Sequence, residues 1–112
     1  MYRLNEKKSV IPPLVSGAMA DGDAANFYFD GPVHICIASN IHATTDFRIL
    51  VNTNPTAAPS VGEASLTAFE ERIAPGQSLD LCRDGMRSIR NLSVYSNGVA
   101  VQGDLLIAGV SL

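Results

Sequence analysis

Two histidines, two cysteines, one adjacent carboxylate pair and a loose group of arginines are the side chains of this chain whose types could do chemistry. His34 and His42 stand eight residues apart, and no His-x-His or Cys-x-x-Cys pair accompanies them. His34 and Cys36 share one face of an alternating segment and Cys82 can lie opposite, which gives three soft ligands without metal-site spacing. Packed cysteines beside one polar neighbour account for the same residues, so no metal or other cofactor is expected. A Cys–His nucleophile from Cys36 or Cys82 with His42 lacks any residue that would orient the base. Glu70 and Glu71 are neighbours, and on a strand neighbours point to opposite faces, so they cannot flank one substrate as a glycosidase pair does. Val15-Ser16-Gly17 is not a nucleophile elbow, and neither a phosphate loop nor a dinucleotide fingerprint is present. The chain reads as a protein that makes contacts and catalyses nothing.

Size and composition set the frame for those contacts. With 112 residues there is room for one domain. A hydrophobic fraction of 46% against 17% charged supports a packed core and excludes general disorder. The net charge of −3 is unevenly placed: Arg3, Lys7 and Lys8 sit near the start, and no lysine follows Lys8. An acidic body repels a phosphate backbone, so nucleic acid is not an expected partner. No run of eighteen apolar residues would cross a membrane as a helix, and Met1–Lys8 does not read as an export signal. Without that signal, Cys36 and Cys82 are expected to be buried free thiols.

The elements follow from periodicity. Residues 1–16 are polar, basic and then proline-stiffened at Pro12-Pro13, which predicts an extended arm able to reach roughly 50 Å. From Phe27 the period is two. Phe27 and Phe29 point inward with Tyr28 outward, and a turn is expected at Asp30-Gly31-Pro32. Next, Val33, Ile35 and Ile37 alternate with His34, Cys36 and Ala38. Phe47, Ile49 and Val51 make the next apolar stripe. Leu66, Phe69 and Ile73 have helical spacing, and Ser60 with Glu63 could form a capping box. The Pro75-Gly76-Gln77 turn, followed by alternating residues 78–82, favours a strand over 67–74. Residues 89–96 alternate again and end in Asn97-Gly98, a strong hairpin signal. Strands over 99–101 and 105–110 complete the pattern. The fold class expected is all-β: a single-domain β-sandwich or jelly-roll-like barrel of about seven strands over residues 17–112, with an extended N-terminal arm over 1–16.

Three segments of the second half carry a family resemblance: RIAPGQSLDL over Arg72–Leu81, IRNLSVYSNG over Ile89–Gly98, and VAVQGDLLIAGVSL from Val99 onward. A Pro-Gly turn, a Ser-rich strand and a final strand of small apolar residues resemble the β-sandwich head decoration (cement) proteins of tailed bacteriophages. That resemblance implies a structural virion protein, assembled in the host cytoplasm, that stabilises a capsid shell. It implies a dimer or trimer bound to major capsid protein or other virion subunits, with no cofactor. A neck or tail component, or a ligand- or carbohydrate-binding sandwich with a pocket near Tyr28 or Tyr95, are the alternatives. The candidate protein-contact residues are Tyr2, Arg3, Leu4, Lys7 and Lys8 of the arm together with Arg83, Arg87 and Arg90, since arginine forks suit interface carboxylates. Low charge and the lack of lysine after Lys8 leave sheet edges unguarded, which also favours an oligomer.

Overall fold

The computed structural model describes residues 2–4, 8–11, 18–52 and 68–110. Among them there is no helix. The strands are β1 (Tyr2–Arg3), β2 (Lys8–Ile11), β3 (Ala18–Met19), β4 (Ala24–Val33), β5 (Ile35–Asn40), β6 (Asp46–Asn52), β7 (Ala68–Ile73), β8 (Ser78–Asp80), β9 (Ile89–Asn97), β10 (Ala100–Val101) and β11 (Leu105–Val110). Two main sheets form, with orders β1-β4-β9-β6-β7 and β2-β11-β5-β8, and β3 pairs separately with β10. The sheets face each other across one core, as a sandwich requires. Phe27, Phe29, Phe47, Ile49, Leu92 and Val94 enter it from the five-stranded sheet; Ile11, Cys36, Ala38, Leu105 and Ile107 enter it from the four-stranded sheet. The sheets approach closely at Gly109, where a Cβ would lie 2.6 Å from the Phe29 ring. Only a bare backbone there lets the aromatic ring fit.

Of the first sixteen residues, the described ones, 2–4 and 8–11, pair with the sandwich and do not stand free as an arm. β1 pairs in parallel with β4, and β2 pairs antiparallel with β11 from Ile11↔Leu105 to Lys8↔Ala108. Leu4 is 3% exposed and Ile11 is fully buried, so this segment contributes to the core it was expected to leave. The prolines do not prevent it: β2 ends immediately before Pro12, and both β1 and β2 lie at sheet edges, where the next residue need not donate to a ladder.

Of three expected turns, one is a bulge, one is a tight turn (Gln77 N donates to the Ala74 carbonyl, 3.0 Å) that crosses between sheets, and one closes no hairpin. Asp30-Gly31-Pro32 lies inside β4, where the register jumps between Tyr28↔Asn91 and Val33↔Ile89. The strand bulges without turning back, and Arg90 holds the bulge by donating from Nε to the Phe29 carbonyl (3.2 Å) and from Nη2 to that of Asp30 (3.0 Å). The chain changes sheets at His34, which reverses the phase of the next strand: Cys36 and Ala38 are fully buried, whereas Ile35 is 39% exposed. Pro75-Gly76 carries β7 of one sheet into β8 of the other. Asn40 steers it, because its backbone carbonyl accepts from Gly76 N (2.8 Å) and its own N–H donates to the Gln77 carbonyl (2.9 Å). Asn97-Gly98 closes no hairpin. β9 already has β4 and β6 on its two edges, so the following strand, β10, pairs with β3.

Candidate functional site

The residues singled out for chemistry are dispersed or engaged in structure. Among the described residues no group of three His, Cys, Asp or Glu side chains comes together to hold a metal ion. Cys36 and Cys82 are unbridged and buried, with Asp80 holding the backbone around both. Its Oδ1 accepts from Cys36 N (3.2 Å) and Cys82 N (3.0 Å), and its Oδ2 from Asp84 N (2.9 Å). Burial, with the neighbouring Cys82 and Asp80 charges adding to it, pushes the Cys36 thiol far above its usual range. Burial also pushes the Cys82 thiol up to about 11; Asp80 adds to the rise and Arg87 opposes it. Such thiols stay protonated and are poor nucleophiles at neutral pH. His42 serves its own loop: Nδ1 accepts from Thr44 N (3.0 Å) and Thr45 N (2.9 Å), while Nε2 stands 3.8 Å from Asp104 Oδ2. Buried Asn40 braces the same loop, donating to the carbonyls of Thr45 (2.8 Å) and Ile73 (3.0 Å).

The candidate contact residues divide. Tyr2 and Lys8 lie in β1 and β2, at edges of the two main sheets. Arg3 pairs with Asp30 at 2.7 Å on the surface. Leu4 is a core residue, with its N–H on the Tyr28 carbonyl (2.7 Å), and offers no surface to a partner. Lys7 lies outside the described residues. Arg83 and Arg87 both close on Glu71, not on Asp80 or Asp84. Arg83 Nη2 is 2.7 Å from Glu71 Oε1, and Arg87 Nη2 is 3.3 Å from the same oxygen while its Nε donates to the Leu81 carbonyl (2.7 Å). Hydrogen bonding to Glu71 raises the already high pKa of Arg83. The left-handed backbone at Arg83 (φ 53°) and Asp84 (φ 57°) is what turns this loop toward β7. β7 and β8 are edge strands of opposite sheets, and the clamp ties β7 to the loop that leaves β8. Glu70, on the other face of β7, pairs instead with Arg48 at 3.2 Å.

A surface that periodicity alone did not identify is the outer face of the four-stranded sheet. Register places Ile35 beside Val110, Ile37 beside Ala108, and Leu106 beside Ser39. Ile35 and Val110 are 39% and 46% exposed, and Ile37, Leu106 and Ala108 are part-buried. The outer face of the five-stranded sheet is different in kind, carrying Asn26, Tyr28, Arg48, Glu70, Arg72 and Tyr95. The signal was present in the sequence: Ile35–Ala38 and Leu105–Val110 are apolar on both alternating sets, the pattern of strands covered on two faces. Asp80, at the rim of this patch, is already committed to three backbone amides.

Comparison with known proteins gave no matching family model, no matching curated protein and no matching solved structure.

Proposed function

We propose that this chain is a non-catalytic structural subunit that self-associates through the outer face of its four-stranded sheet and, in that form, decorates and stabilises a phage capsid. The observation that carries the first step is the apolar stripe Ile35, Ile37, Leu106, Ala108 and Val110, which register flanks with Lys8 beside Ala108 and Asp80 beside Ile37. A contiguous exposed apolar patch is a usual mark of a protein contact. A second copy of the chain is the occupant that fits: the central stripe is apolar on both sides of a two-fold contact, and the flanking Lys8 and Asp80 carry opposite charges. The virion step rests on the resemblance of residues 66–112 to decoration proteins, and its partner would be major capsid protein or another virion subunit.

Light scattering on the purified chain should report a dimer. Ile35→Asp, which places a charge on the exposed face, should shift it to monomer at unchanged far-ultraviolet circular dichroism. A wild-type monomer at high concentration would refute the self-association. Mass spectrometry of purified phage particles tests the second step separately: the chain should band with intact capsids, and capsids lacking it should open at lower temperature. Its absence from such particles would refute the virion role while leaving the dimer intact.

A further inference from the structure

The polar outer face of the five-stranded sheet holds, at one end, a cleft of about 220 Å³ lined by Asp46, Arg48, Arg72, Tyr95 and Asn97, with Gly22 and Ser96 at its margin. Register explains how these side chains meet. Arg48 on β6 lies directly opposite Tyr95 on β9 and directly opposite Arg72 on β7, making one row across three strands. Asp46 and Asn97, themselves directly opposite, form the next row.

Two guanidinium groups facing each other across a strand pair repel. The neighbouring acids offset this diagonally: Arg48 Nε contacts Glu70 (3.2 Å), and Arg72 Nε stands 3.7 Å from Asp46. Both contacts use the Nε edge. The Nη ends of the two arginines remain available to an incoming group, with side chains 44% and 69% exposed. Arg48 also lies over the Tyr95 ring, 4.4 Å from its centre. That contact covers the aromatic face, so a neutral sugar finds no stacking platform there. Two arginines against one carboxylate give the lining a single excess positive charge, and Glu70 beside Arg48 tempers it further, which suits a monoanion better than a dianion. What the row offers is guanidinium forks for one planar carboxylate. The Asp46 carboxylate and the Asn97 amide, already joined to each other at 2.8 Å, retain lone pairs for hydroxyl donors. The volume lies below the range of about 300–1,000 Å³ typical of drug-sized ligands and suits a single ring.

We propose that this cleft binds a hydroxylated monocarboxylate the size of one sugar ring, the chemistry of a uronic acid residue. The proposal does not depend on the capsid reading. The test is titration of the isotope-labelled full chain, followed by amide nuclear magnetic resonance, with glucuronate, glucose and inorganic phosphate in parallel. Glucuronate should move the resonances of Arg48, Arg72, Tyr95 and Asn97 along one saturating curve, with Kd on the order of millimolar. Arg72→Gln, a change at an exposed side chain, should weaken that binding by about tenfold or more without altering the remaining spectrum. Glucose and phosphate should give no saturating shift. The proposal is overturned if glucuronate produces no saturable shift, if Arg72→Gln binds it as well as the parent, or if phosphate or glucose binds equally well.

Discussion

Glu71 is a carboxylate 9% exposed on an edge strand, and Arg83 and Arg87 converge on it from the loop that follows β8. Replacing it by glutamine keeps the volume and removes the charge. Breaking a fully buried ion pair costs about 3–5 kcal/mol, because the remaining charge is stranded away from water. That figure is an upper bound here, since the two arginines differ. Arg87 is 15% exposed and cannot rehydrate without leaving the Leu81 carbonyl and its position over the Phe69 ring, 4.9 Å away. Arg83 is 51% exposed, and its side chain can turn to solvent, so its share of the loss is the smaller. Glu71→Gln should therefore destabilise the fold by about 2–3 kcal/mol. With an unfolding entropy near 2.1 cal/mol/K per residue, Tm should fall by about 9–13 °C for this chain length. A double-mutant cycle in urea, measuring equilibrium unfolding, apportions the effect. Coupling of Glu71 to Arg87 should be about 1–2 kcal/mol and should exceed its coupling to Arg83. A Tm within about 2 °C of the parent would refute the clamp as a stabilising tie, and stronger coupling to Arg83 would refute the greater weight given to Arg87.

Other perturbations test the remaining structure. Ile11→Ala should cost about 2–4 kcal/mol in urea unfolding, since a fully buried side chain leaves a cavity; deletion of residues 1–12 should lower stability further, and an unchanged Tm would restore the free-arm expectation. Gly109→Ala should cost about 1–3 kcal/mol because the added methyl meets the Phe29 ring, and a neutral result would mean that the ring can move aside. Cys36 and Cys82 should resist alkylation in the folded chain and both react in denaturant; mass spectrometry finding a disulfide would contradict this. Their folded pKa values are raised, so the unfolded chain loses these protons first. The stability they confer is full below about pH 9, declines above it and is lost as pH passes about 11 for Cys82. Wild type should thus lose more stability between these limits than the Cys36→Ala, Cys82→Ala variant, as read by urea midpoints.

The strands themselves were legible because a half-buried strand must alternate. Phe27 with Phe29, and Phe47 with Ile49 and Val51, declared both their conformation and their inward face. The strand over Ala68–Ile73 was legible as well, because the turn after it outweighed the helical spacing of Leu66, Phe69 and Ile73. Which sheet each strand joins was not legible. A Pro-Gly or Asn-Gly signal fixes a local bend but not the edge that is free to receive the next strand, and that depends on partners distant in sequence. The phase reversal at His34 has the same origin, since a change of sheet exchanges inside for outside. The arginines were visible as a group, yet their partner Glu71 lies twelve and sixteen positions away and is found only when the loop after β8 folds back onto β7.

The order of strands in the four-stranded sheet has a consequence for synthesis. β11 lies between β2 and β5, so Ile11 waits for Leu105, and Ile35 waits for Val110. Until residues 105–110 have emerged from the ribosome, β2 and β5 have no common neighbour, and the core face of that sheet has nothing to close it. Translation at about 5–20 residues per second leaves that state in place for several seconds. During this interval unpaired edges and the apolar sets of β5 are exposed together, the conditions under which nascent β proteins associate wrongly. Stalling the ribosome just before Leu105 should therefore hold a chain that is sensitive to protease and bound by chaperones, and release after Val110 should allow both sheets to close together.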